Sequence, residues 1–203
     1  MQEVVGKMES FYSKEEIKKL GFHFCGENVK ISRKASIYGA ERISIDDNAR
    51  IDDFCILSGK IRIGKYVHVA AYSALYGGDT GIELWDFSGI SSRCAIYAES
   101  DDYSGEHMAH PTINIKYRGV IAGEVVLERH SILGTGTTVL PGVRVKEGSA
   151  VGCMSLVSKT IESWGIYAGI PCHKIKDRKK NLLELERKFL QEQVDINLSG
   201  DEK

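Results

Sequence analysis

The sequence predicts an all-β solenoid, a left-handed parallel β-helix of hexapeptide repeats with a long inserted loop and a C-terminal α-helix. Three observations predict it. An aliphatic residue recurs at every sixth position through Ile45, Ile51, Leu57, Ile63, Val69 and Leu75, and the period resumes at Leu84, Ile90 and Ile96 and at Leu127, Leu133, Val139, Val145, Val151 and Val157. Two residues ahead of these positions stand small or β-branched ones, including Ala49, Cys55, Ile61, Val67 and Ser73, then Val125, Ser131, Thr137, Val143, Ser149 and Ser155. Glycine or alanine often follows the aliphatic residue, as at Gly64, Ala70, Gly134 and Gly152, where a tight turn tolerates little side chain or wants positive φ. A period of six fits neither an α-helix nor a long alternating strand, and a β-sandwich spaces its strands by about 8–12 residues. Three short strands per triangular coil, with both inner columns filling a narrow interior, satisfy all three observations.

The elements follow in chain order. Residues 1–30 form an N-terminal helical cap, in which the capping box of Ser13 with Glu16 opens a short helix that closes at Gly21. The β-helix occupies residues 31–176, with Ile31, Ile37 and Ile43 as its earliest phase. Tyr76–Gly81 adds three residues to the period and reads as a short excursion from one corner. From about residue 98 to 123 the period vanishes and charged, aromatic and histidine residues accumulate; a loop of this length inside a compact array usually carries function. Residues 177–203 are a C-terminal helix and tail, with Leu182, Leu185 and Phe189 on one stripe and Leu183 and Leu190 beside it.

With 27 Lys and Arg against 28 Asp and Glu over 203 residues, no global field recruits nucleic acid or an anionic membrane. The five cysteines lack the close pairing of a zinc site and read as reduced, mostly buried small hydrophobes, which favours the cytoplasm. The polar start MQEVVGKMESFYSKEE does not read as a signal peptide, and no apolar run is long enough to span a membrane. His68, His107, His110 and His130 show no recognisable metal-ligand pattern, so no metal is expected.

The six-residue period, the single long loop, the terminal run Ser163–Pro171 and the pieces LPGVRVKEGSAVG, SLVSKTI and YAGIPCHKIK together resemble the hexapeptide-repeat O-acetyltransferases, the group of the galactoside and maltose acetyltransferases. The likeness spans about Ile31 to Arg178. It implies a homotrimer with active sites between adjacent β-helices and acetyl-CoA as acyl donor. It also implies that Thr135 and Cys153 face pantetheine, while Lys159, His173 and Lys176 meet the CoA phosphates, as flexible point charges and polar donors suit.

The family's catalytic histidine stands where the coil leaves for the loop, and the corresponding position here is Asp101. A sugar hydroxyl still needs a base as it attacks a thioester, a contribution of roughly 10²- to 10⁴-fold in rate. His68 is the first candidate, because between inward Val67 and Val69 it points outward, with Asp101 or Asp102 as the carboxylate that orients it. His107 and His110, in the loop, are the rivals, and His130 falls at a turn and reads as a surface residue. Ser91 and Ser92 are candidate helpers at the oxyanion, and Asp101, Asp102, Tyr103 and Glu106 offer hydrogen bonds to a sugar.

The leading expectation is acetyl-CoA-dependent O-acetylation of a sugar hydroxyl in surface-polysaccharide synthesis or modification. The alternative is N-acetylation of a nucleotide-linked amino sugar, since an amine needs less help from a histidine. A noncatalytic trimeric scaffold is a third reading.

Overall fold

The computed structural model describes residues 10–200, with side chains through Asp195; residues 1–9 of the expected N-terminal cap and 201–203 of the expected tail lie outside the described residues. The architecture is the left-handed parallel β-helix, a prism of stacked three-strand coils. Each inner aliphatic residue sits in register over its counterpart one coil away. One face runs Ile31, Ile51, Val69, Ile90, Leu133 and Val151. The second runs Ile37, Leu57, Leu75, Ile96, Val139 and Val157. The third runs Cys25, Ile45, Ile63, Leu84, Leu127 and Val145.

All three ladders continue across the long loop as if it were absent, because Leu84, Ile90 and Ile96 pair directly with Leu127, Leu133 and Val139. The aliphatic residues from Ile45 to Val157 in these ladders are at most 3% exposed. Each contributes about 1.5–3 kcal/mol by leaving water. The small residues two positions earlier are equally buried, from Ala49 at 1% to Ser155 at 3% exposed. Three hydroxyls in that column bond backbone carbonyls of the adjoining coil or turn, Ser73 to Ser91 at 3.0 Å, Thr137 to Gly152 at 3.2 Å and Ser149 to Glu162 at 2.7 Å, whereas the buried Ser131 hydroxyl has no protein partner among the described residues.

Of the two expected reasons for a small residue at these turns, lack of space is the one that holds. Gly64 and Gly134 do not have positive φ; they are small because a Cβ there would meet the next coil, 2.6 Å from Asp86 Oδ1 and 2.6 Å from the Cys153 nitrogen respectively. Positive φ falls two residues later, at Tyr66 (57°), Tyr72 (64°), Gly136 (74°) and Met154 (54°). The left-handed conformation costs a non-glycine residue roughly 1–2 kcal/mol. Stacking along the corners offsets part of that: Tyr66 on Phe87 at 4.8 Å, Phe54 on Tyr72 at 4.9 Å, and Phe87 on the His130 ring at 5.5 Å.

Tyr76–Gly81 is not an excursion. It lies within one continuous strand, Ala74–Leu84, that turns a corner against Ile56–Ile63 with register shifts around Gly59. Gly59 (φ 85°) is required there, since its Cβ would lie 2.6 Å from the Gly78 nitrogen.

At the N-terminus, α1 (Lys14–Lys19) has the reciprocal Ser13–Glu16 capping box. At the other end Cys172–Asp177 is a strand, antiparallel to Gly165–Gly169, and the C-terminal helix α2 is Leu182–Gly200. Phe189 meets the rings of Tyr66 (5.2 Å) and Phe87 (6.3 Å) edge-on, whereas Leu185 of the expected stripe is 62% exposed. His130 is not a surface residue: it is 8% exposed beneath α2, with Nε2 2.7 Å from Glu186 Oε2. Glu186 also pairs with Arg129. Among the described residues no helix is long and apolar enough to cross a membrane.

Candidate active site

The loop leaves the second face after Ala95–Tyr97 and folds into a hairpin, with Glu99–Asp101 antiparallel to Val120–Ala122. The neck is pinned by backbone: Gly123 N donates to Ala98 O at 2.9 Å and Asp102 N to Gly119 O at 3.0 Å. This hairpin separates two hollows on the same face. On the N-terminal side a cleft of about 460 Å³ is lined by Ser58, Tyr76, Gly78, Glu99, Asp101 and Arg118, among others. On the C-terminal side a groove of about 550 Å³ is lined by Ile121, Thr138, Leu140, Pro141 and Ser158. Tyr97, Ser100 and Tyr103 belong to both walls.

Repeat geometry supplies much of the cleft. Tyr76 and Tyr97 sit one coil apart in register and stack at 5.1 Å, an aromatic floor beside the carboxylates of Glu99 and Asp101. Glu99 Oε1 accepts from Asp79 N at 2.6 Å, so this carboxylate is tied to the Gly78 corner. Asp101 accepts the His110 N–H on Oδ2 at 3.1 Å, and Arg118 approaches its Oδ1 at 3.5 Å.

Asp102, one residue on, does a different job. Its carboxylate accepts from the Ser104 N–H (2.8 Å), the Ser104 hydroxyl (2.9 Å) and the His107 N–H (3.0 Å), and lies 3.3 Å from His107 Nδ1. Those donors hold its pKa at about 2, so Asp102 is a fixed anion organising the turn. His107 is thereby committed to the turn, and His110 meets Asp101 through its backbone N–H.

His68 points outward, as its position between buried Val67 and Val69 dictates, but on the first face, away from the hairpin's face. Its carboxylate partner is Asp52, at 2.7 Å from Nε2, and not Asp101 or Asp102. Burial pushes the Asp52 carboxyl up, but hydrogen bonds from His68 and Arg50 outweigh it and leave the pKa lowered. The expected donor residues form no single cluster. Thr135 and exposed Cys153 lie at the corner between the first two faces, where Thr135 O accepts the Met154 N–H at 2.8 Å. Lys159 directly follows Ser158 of the groove, and exposed His173 and Lys176 lie on the last strand.

Sequence reasoning misses Tyr76, Tyr97 and Arg118. The Tyr pair is within its reach, one coil apart in the second ladder; Arg118 lies outside the repeat, which carries no signal for it.

No family model matches the chain. It is 42% identical over 186 residues, 90% of this chain and 96% of the relative, to dTDP-4-amino-4,6-dideoxy-D-glucose acyltransferase from Escherichia coli. Among solved structures it is similar to AntD, an N-acyltransferase from Bacillus cereus, in complex with dTDP and coenzyme A, with TM-score 0.90, 53% identity and coverage of 91% of this chain and 100% of that one. AntD has also been solved with dTDP and 3-hydroxybutyryl-CoA. Its variants were made at an aspartate and at a serine ten positions before it. The polySia-specific acetyltransferase NeuO, 18% identical with TM-score 0.60, shares the fold alone.

Proposed function

We propose that this chain, which belongs to the hexapeptide-repeat acyltransferases, transfers an acyl group from acyl-CoA to the amine of a nucleotide-linked amino sugar. That it is an acyl-CoA-dependent acyltransferase excludes the scaffold reading. Between amine and hydroxyl, the relatives weigh for the amine: the Escherichia coli protein is named for a 4-amino sugar linked to dTDP, and AntD is an N-acyltransferase.

The observation that carries the reading is the pair of hollows meeting at Tyr97, Ser100 and Tyr103, with Asp101 on the cleft side of that shared wall. The cleft takes the acceptor. Its stacked tyrosines offer an apolar face to a deoxy sugar or a base, and Glu99 and Asp101 accept hydrogen bonds from hydroxyls and the amine. The groove suits the thioester arm, with apolar Leu140 and Pro141 and the hydroxyls of Thr138 and Ser158, leading on to Lys159. His173 and Lys176 are the other polar groups assigned to the CoA phosphates, and Thr135 and Cys153 reach pantetheine from a neighbouring copy in a trimer.

In the reaction the amine nitrogen attacks the thioester carbonyl, the C–N bond forms and the C–S bond breaks, and the nitrogen loses a proton as thiol leaves. A neutral amine is a competent nucleophile, so the protein's task is to hold it and receive that proton. Asp101, a lining residue of the cleft, is our candidate for that role. Ser91 precedes Asp101 by the same ten positions that separate the substituted serine and aspartate in AntD, and Ser92 precedes Asp102 by that interval too. Asp102 is locked in its turn, which leaves Asp101 as the counterpart and Ser91 as its companion.

The test supplies acetyl-CoA or 3-hydroxybutyryl-CoA with dTDP-4-amino-4,6-dideoxyglucose and with the analogue bearing a hydroxyl in place of the amine, following thiol release and product mass. Amide formation with the amine alone is expected, and D101N lowers kcat by about 10²-fold or more. Comparable kcat/KM on the hydroxyl analogue, or full activity of D101N, refutes the corresponding part.

A further inference from the structure

We infer that Arg118 is a positioning residue for Asp101, setting the direction in which the carboxylate faces the amine; this rests on the acyl-transfer reading above. The two legs of the hairpin bring the pair together. Asp101 is the last residue of the outgoing strand, and Arg118 stands two residues before Val120, where the returning strand begins and pairs with Asp101. Both side chains are largely enclosed, Arg118 18% and Asp101 29% exposed.

Asp101 is held from two sides. The His110 N–H donates to Oδ2 at 3.1 Å and the guanidinium stands 3.5 Å from Oδ1, so each carboxylate oxygen has a contact within the neck. The remaining lone pairs are available to the cleft, whose wall Asp101 and Arg118 share. Arg118 Nε is buried with no hydrogen-bond partner, an arrangement costly to keep for packing alone. The backbone around Arg118 is already anchored without its side chain, through Arg118 N to Ile115 O at 3.1 Å and Met108 N to Tyr117 O at 2.9 Å. The guanidinium is thus not what closes the loop. A displacement of the catalytic group by about 1 Å costs on the order of 10²-fold in rate, which is the scale at which such a support acts.

A double-mutant cycle with R118A, D101N and the double variant, assayed with acyl-CoA and dTDP-4-amino-4,6-dideoxyglucose, separates the two ideas. R118A is expected to lower kcat by about 10- to 100-fold with KM for acyl-CoA unchanged. R118K, which keeps charge and stem, or added guanidine with R118A, restores part of it, and R118A costs D101N no more than about twofold further. Independent, multiplicative losses, or an R118A defect confined to acceptor KM, overturn the positioning role while leaving the Asp101 reading intact. Full activity of D101N fails the Asp101 reading first and removes what Arg118 would position.

Discussion

Replacing Glu186 with alanine isolates what holds the C-terminal helix to the solenoid. The carboxylate is 12% exposed and bonds both Arg129 and His130, whose side chain is 7% exposed. A hydrogen bond to a charged group contributes about 1.5–3 kcal/mol, and truncating one partner of a fully buried pair costs about 3–5 kcal/mol. Arg129 is one-third exposed and retains Asp86 at 3.3 Å and the face of Phe87, so its share is small. The expected loss is therefore about 2–3 kcal/mol, chiefly from leaving His130 without its acceptor. The helix's other contacts are Phe189, edge-on to Tyr66 and Phe87, and the half-buried Leu182 and Leu190, too few to offset this loss. The helix should release while the coils stay folded, because a solenoid's stability is carried by neighbouring coils. Limited proteolysis at Arg187 and Lys188 reads this directly: cleavage should accelerate roughly 30- to 140-fold, with the main thermal transition nearly unmoved. Unchanged cleavage, or collapse of the main transition, refutes the reasoning.

Other outcomes follow from the corner and the turn. G59A combines a positive φ with a Cβ forced onto the Gly78 backbone, so it is expected to destabilise by about 2–4 kcal/mol and to disturb the cleft that Gly78 lines, seen as a lowered melting temperature with raised acceptor KM. The Asp102 turn should be insensitive to acid until well below neutrality. A carboxylate whose folded pKa is depressed to about 2 contributes stability fully above its unfolded value of about 4 and loses it as pH falls through the folded one. The protection factors of the Ser104 and His107 amides, which correct for the intrinsic pH dependence of exchange, are therefore expected to stay constant from pH 7 to about pH 4 and to fall below it; a fall near pH 6 contradicts this assignment.

Sequence periodicity makes the solenoid legible because each inward side chain repeats the same environment one coil later. Pairing Leu57 with Leu75, or Leu133 with Val151, needs only the count of residues between them, since one coil separates each pair. The same rule could have found the partner of His68: a coil places Arg50 beside it, and Asp52 is two residues further on the same edge. His130 is misread from sequence because its burial depends on α2, which no repeat announces. Arg118 escapes sequence reasoning because its role exists only once the hairpin has closed. Neither Glu99–Asp101 nor Val120–Ala122 alternates polar with apolar residues, so the sequence does not mark these two legs as strands, and their pairing shows only in the closed neck.

The ladders that pass unbroken beneath the hairpin make the insertion a cassette. Ala98 and Gly123 meet through one hydrogen bond, and the coils on either side pair with each other directly. The entropy of closing such a segment rises by only about 0.6 kcal/mol for each doubling of its length. Changes of sequence or size between those two residues consequently fall on the chemistry above the face, sparing the frame below it. The chain can diversify what it acylates without renegotiating how it folds.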